Sequence, residues 1–192
     1  MNRTLAQAWF AQNPLLRFTL TAVGLYLLWF FGYERQLAPD GRLDTALIHV
    51  IVAHTVAVLK ALGFEATVSS ARWNMILLRN QPTVFVAAYC DGMVLYALFS
   101  GFVLAFPTSS RHKLWFIPMG VALIYGINVL RLVAMSINHH YSYKTLDFNH
   151  HYTFAFIVYG FIGLLWLWWV TRLAGPVEVG SPSSTLPPRA HA

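Results

Sequence analysis

Five stretches of the 192-residue chain are apolar with few or no charges, and shorter polar segments separate them. A helix needs about 20 mostly apolar residues to cross a bilayer. The first run spans residues 15–33 (LLRFTLTAVGLYLLWFFGY). The second, 45–64, is more polar and carries His49, His54 and Lys60. The third, 90–106, stops at Pro107, and the fourth covers 114–137. The fifth, 152–173, ends among Trp166, Trp168 and Trp169, which suit an interfacial aromatic belt. Residues 66–89 (ATVSSARWNMILLRNQPTVFVAAY) hold short β-branched and aromatic runs broken by RNQP, which predicts a small hairpin or extended loop. The Pro- and Ser-rich residues 174–192 predict a disordered tail. The pattern predicts an all-α integral membrane protein. Residues 1–173 form its single polytopic domain, a bundle of about five transmembrane helices with a short extended or hairpin loop before the third.

Composition agrees with this reading. The chain is 57% hydrophobic, 16% aromatic and 10% charged, with a mean hydropathy of +0.54; soluble domains carry about 25% charged residues. The net charge of +6 is therefore read as membrane topology and attraction to anionic headgroups. No basic helix or nucleic-acid motif accompanies it, so nucleic acid is not expected as a partner. A lone cysteine makes no internal disulfide and lacks partners for a thiolate metal site. The polar start MNRTLAQAWFAQNP does not resemble a cleaved leader, so the first apolar run is expected to be a retained membrane helix.

Charge also orients the chain. Arg111 and Lys113 follow the third run and Arg172 closes the fifth, and the positive-inside rule places them on the cytoplasmic side. The start of run three, the end of run four and the start of run five then share the outer face. Five spans would put the N-terminus outside as well, a step that Arg35 and Arg42 support and Arg3 and Arg17 oppose.

Charges deep in apolar segments are costly and mark function. Arg131, in IYGINVLRLVAM, lies about six residues, or roughly 9 Å, from the outer end of run four. Asn128 precedes it by three positions and shares its helix face. Cys90 opens run three, where a helix N-terminus or a nearby cation lowers a thiol pKa, while the neighbouring Asp91 opposes that. Gly92 permits close approach of another backbone or a substrate. At the start of run five, KTLDFNHHYTF offers His150 and His151, with Asp147 placed to orient an imidazole. Taken singly, Cys90 reads as packing and the histidines as an interfacial loop, whereas for Arg131 snorkelling is the lesser reading, because a snorkelling arginine needs no asparagine beside it. No cofactor and no metal are expected, because neither His139–His140 nor His150–His151 has the i, i+4 spacing of a helical metal pair. Together, a thiol, an embedded arginine and a histidine on one face are the parts of an acyl-transfer site. Histidine moves the protons, and arginine stabilises an oxyanion or positions a carbonyl.

Over residues 85–165 the chain resembles the exosortase/archaeosortase family of membrane transpeptidases, in particular its compact Bacteroidetes-type members. The resemblance rests on Cys90-Asp91-Gly92, Asn128-Val129-Leu130-Arg131 and His150-His151. It implies Cys90, Arg131 and His151 or His150 as catalytic residues, with Asn128, Asp91, Gly92 and Asp147 in support. Asp91 departs from the Ser or Ala usual after the family cysteine. The family histidine usually has a small residue four positions on; Ala155 fits His151, and Phe154 would follow His150. The implied partners are membrane-anchored proteins bearing a C-terminal sorting signal and a glycan or lipid acceptor of the envelope. The implied location is the bacterial inner membrane, with the site facing outward. Two other readings remain open from the sequence. One is a non-proteolytic component of exopolysaccharide assembly. The other is a small transporter with His49, His54 and Lys60 along its path.

Overall fold

The computed structural model describes residues 13–108, 111–141 and 154–174. Helix α1 starts at Pro14, a residue suited to a first turn because it has no N–H to leave unpaired. It runs through Trp29, widens into a π-helical stretch Phe30–Leu37 and ends with Ala38–Asp40. Gly41, at φ +65°, turns the chain into α2, Arg42–Ala61. Three strands follow as an antiparallel meander: β1 Ala66–Val68, β2 Met75–Leu78 and β3 Gln81–Phe85. Arg79 and Asn80, both at positive φ, form the two-residue β2–β3 turn. Two positive φ values are what the primed hairpin turns require. The predicted hairpin is thus a three-stranded sheet.

A short 3₁₀ turn, Ala88–Cys90, leads to α3, Met93–Ala105. Helix α4 covers Lys113–Tyr141. Helix α5 runs from Phe154 to Trp168 and closes with a π turn, Trp169–Leu173. Among the described residues, four helical stretches, in α1, α2, α4 and α5, are long and apolar enough to cross a membrane. The third apolar run is shorter than the others: the 13 residues of α3 rise about 20 Å, against a hydrocarbon core of about 30 Å.

Two cores hold these elements. In one, Ile51, Val52 and Leu59 of α2 meet Ile76 and Leu78 of the sheet, Cys90, and Val129, Leu132 and Val133 of α4. In the other, Phe99 and Val103 of α3 meet Phe116 and Ile124 of α4 and Ile162, Leu165 and Trp169 of α5. Helix α4 is common to both, and its residues 124–133 lie where the two cores adjoin. Close approach of α3 and α4 depends on Gly120, where an added Cβ would lie 2.1 Å from Cζ of Phe99.

Candidate active site

The cysteine turn is built by local chemistry. Cys90 N donates to Ala87 O at 2.8 Å. Asp91 Oδ1 accepts from the N–H of Met93 at 2.8 Å and so satisfies one of the free donors that open α3. Gly92 stands at φ +85°, and a Cβ there would meet the Tyr96 hydroxyl at 2.8 Å. Glycine is required for both the backbone conformation and the space. Cys90 therefore lies three residues before α3 rather than in its first turn, because the left-handed Gly92 separates the 3₁₀ turn from the helix.

The asparagine and arginine of α4 converge on this turn. Asn128 is 1% exposed, and its Nδ2 donates to the carbonyl oxygen of Cys90 at 2.8 Å. A tether between two elements 38 positions apart fixes the cysteine backbone against α4. One turn along, the Arg131 guanidinium stands beside the Cys90 thiol. Burial pushes the thiol pKa up, and Arg131 is the main group opposing it; Asp91 adds to the rise. The buried Nε of Arg131 meets no acceptor among the described residues. Helix α4 continues ten residues past Arg131 to Tyr141. The arginine is thus about 15 Å from that helix end, deeper than the 9 Å expected from hydropathy.

A further group at the site is not apparent from any local motif. Tyr33 of α1 donates a hydrogen bond of 2.5 Å to Oδ1 of Asp44, which lies in the first turn of α2 and is 7% exposed. The Asp44 carboxyl in turn faces Asp91, which is 3% exposed. Asp91 Oδ2 is buried, and apart from the Asp44 carboxyl no donor reaches it among the described residues. Asp91 is pushed up to about 6, first by burial and then by the carboxyl of Asp44, with the Met93 N–H pulling the other way.

These groups open onto one cavity of about 600 Å³, walled by Tyr33, Glu34, Asp44, Asp91, Arg131 and Tyr159 among others. Cys90 sits behind that wall, 5% exposed. An apolar hollow of about 390 Å³, bounded by Phe18, Trp29, Leu98, Phe102 and Trp166, meets the cavity at Glu34 and Val94.

Of the residues singled out in the sequence, Cys90, Asp91, Gly92, Asn128 and Arg131 are brought together. His150, His151 and Asp147 lie outside the described residues. The helix that follows them borders the cavity through Val158 and Tyr159. The histidines of α2 have structural partners: His49 stacks on Trp73 at 4.2 Å between centroids, and His54 Nδ1 pairs with the Tyr125 hydroxyl at 2.5 Å.

A polytopic helical membrane protein with one buried cysteine held between an asparagine and an arginine is a narrow class. The family model for transmembrane exosortases matches residues 4–169, and the chain belongs to that family. Searches of curated proteins and of solved structures each give no match.

Proposed function

We propose that this exosortase-family protein is a membrane-embedded cysteine transpeptidase. Its substrates are membrane-anchored secreted proteins with a C-terminal sorting signal, and it works at the outer face of the bacterial inner membrane. The observation that carries this reading is the Asn128 tether, which holds the Cys90 turn where Arg131 stands beside the thiol. In the first half-reaction the Cys90 sulfur attacks the scissile carbonyl, and Arg131 stabilises the oxyanion. Collapse expels the amine of the cleaved signal and leaves a thioester on Cys90. His151, or its neighbour His150, takes the thiol proton and returns it to that leaving amine. In the second half-reaction an envelope glycan or lipid acceptor takes the acyl group.

Cys90→Ala tests the reading in cells that co-express a secreted protein ending in a short motif, a transmembrane helix and a basic tail. Processing of that protein is expected to fall at least about a thousandfold, as when other covalent catalysts lose their nucleophile. Wild-type processing by Cys90→Ala would sink the mechanism.

A further inference from the structure

Helix α2 is apolar on two opposite faces. Ile48, Ile51, Val52 and Leu59 are buried in the core shared with the sheet and α4. Leu43, Ala46, Val50, Ala53 and Ala57 recur at steps of three and four on the other side, and all five are exposed among the described residues. Arg42, His49 and Lys60 share one flank of that second stripe, so cationic positions stand at both ends of the helix.

Contacts with the rest of the bundle show how α2 lies. Helices α1 and α3 run antiparallel. Phe18 meets Phe102 at one end, with 5.8 Å between ring centroids, and Glu34 and Val94 share a cavity wall at the other. There Tyr33 bonds Asp44, whose carboxyl faces Asp91. Further along α2, His54 Nδ1 meets the Tyr125 hydroxyl at 2.5 Å, and Tyr125 lies one turn before Asn128, which holds Cys90. Asp44 and His54 are about 15 Å apart along α2, yet both dock within about one turn of the Cys90 level on α4. Helix α2 therefore runs across α4 rather than alongside it.

The sheet brings the chain back. Beyond the far end of α2, Arg79 N donates to Glu65 O at 2.8 Å, and β3 leads from that turn to Ala88–Cys90. Helix α2 and the sheet thus leave and rejoin the bundle on the cysteine side. If α2 crossed the bilayer, the sheet would have to return through hydrocarbon. Its edges are open, with Gln81 and Pro82 of the edge strand β3 exposed, and the unit exposes Glu65, Arg72 and Arg79. Lipid-exposed open edges do not occur in the hydrocarbon region.

We propose that α2 lies along the membrane surface on the cysteine side, with the Leu43–Ala57 stripe set into the acyl chains of that leaflet. Its partner is a phospholipid surface: acyl chains meet the stripe, and headgroup phosphates meet Arg42 and Lys60. The bilayer is then crossed by α1, α3, α4 and α5, and α1 starts on the side of Arg111, Lys113 and Arg172. Which side of the cell the cysteine faces does not alter this arrangement.

The test uses the full chain in phospholipid vesicles, with single cysteines introduced in a Cys90→Ala background, since Cys90 is the only native cysteine. Val50→Cys carries a fluorophore, and the lipids carry a quencher either near the headgroup or near the chain end. Val50 is central in α2, so a crossing helix would hold it at the bilayer centre. Quenching by the headgroup-proximal group is expected to be at least about twofold stronger, because surface helices bury their apolar face only about 5–10 Å deep. Val23→Cys, exposed within α1, is expected to show the reverse order. In a second measurement, a membrane-impermeant maleimide is expected to label Lys60→Cys and Gln81→Cys from the side that labels Tyr89→Cys, and Arg111→Cys from the other. Stronger quenching of Val50 from the chain ends, or labelling of Lys60→Cys only from the side of Arg111→Cys, means that α2 crosses and overturns the proposal. Quenching of Val23 but not of Val50 by either lipid means that protein covers the stripe, and overturns it as well.

Discussion

At the scale of single residues, Asp91 is a buried acid that carries two electrostatic costs. It places a carboxyl next to a thiol, and it faces that carboxyl toward Asp44. An acid whose pKa is raised on folding binds more protons folded than unfolded. Its effect on stability is therefore neutral below its ordinary pKa and becomes unfavourable as pH climbs through about 6. At pH 7.5 the Asp91→Asn variant, which keeps the cap on α3, is expected to melt above wild type. The gap is expected to close as pH falls toward about 4, where the wild-type carboxyl is protonated in both states. Thermal unfolding in one detergent across that pH range checks this. A variant that melts below wild type at pH 7.5 contradicts the raised pKa of the buried Asp91 carboxyl.

At the scale of elements, much was legible in the sequence because hydropathy and turn chemistry act locally. The apolar runs became helices. The RNQP break became a turn in which Arg79 and Asn80 take the positive φ values that a two-residue hairpin needs. The pairing of Asn128 with Arg131 followed from helix periodicity, and the contact of Asn128 with the Cys90 carbonyl did not. Asp44 and Tyr33 were not legible as site residues. They belong to α1 and α2, some fifty positions before Cys90, and they read locally as an interfacial acid and an aromatic. Only the packing of those helices against the cysteine turn brings them in. The contact of α3 with α4 is likewise tertiary, and its close approach at Phe99 needs a glycine at position 120. Gly120→Ala forces the Phe99 ring to move, and overpacking of this kind costs about 1–3 kcal/mol. Thermal melts of Gly120→Ala, Phe99→Leu and the double variant are expected to show rescue, with the double less destabilised than the sum of the singles. Strict additivity would mean that the two residues do not press on each other.

At the scale of the whole molecule, the short α3 decides where the cysteine turn sits. A helix of 13 residues beside one of 29 cannot reach both interfaces if it lies parallel to the bilayer normal. Its N-terminal turn is then recessed, in agreement with the ten helical residues that follow Arg131 in α4. Non-helical backbone at such depth is tolerated only where it is buried in protein or lines a wet cavity. The Ala88–Cys90 turn meets that condition: Asn128 satisfies the Cys90 carbonyl, and Ala88 and Asp91 border the cavity. Recession and burial together set how Cys90 reacts. A small, charged, membrane-impermeant methanethiosulfonate added outside intact cells is expected to modify it through the cavity. The rate should be at least about tenfold below that of Tyr89→Cys in a Cys90→Ala background, because Tyr89 is 81% exposed and Cys90 is 5% exposed while only the thiolate reacts. Arg131→Gln is expected to slow Cys90 further at fixed pH, since the guanidinium is the main group opposing the rise in thiol pKa. Modification only in inside-out vesicles would reverse the orientation of the site. Equal rates at positions 89 and 90 would mean that the thiol is not held behind the cavity wall.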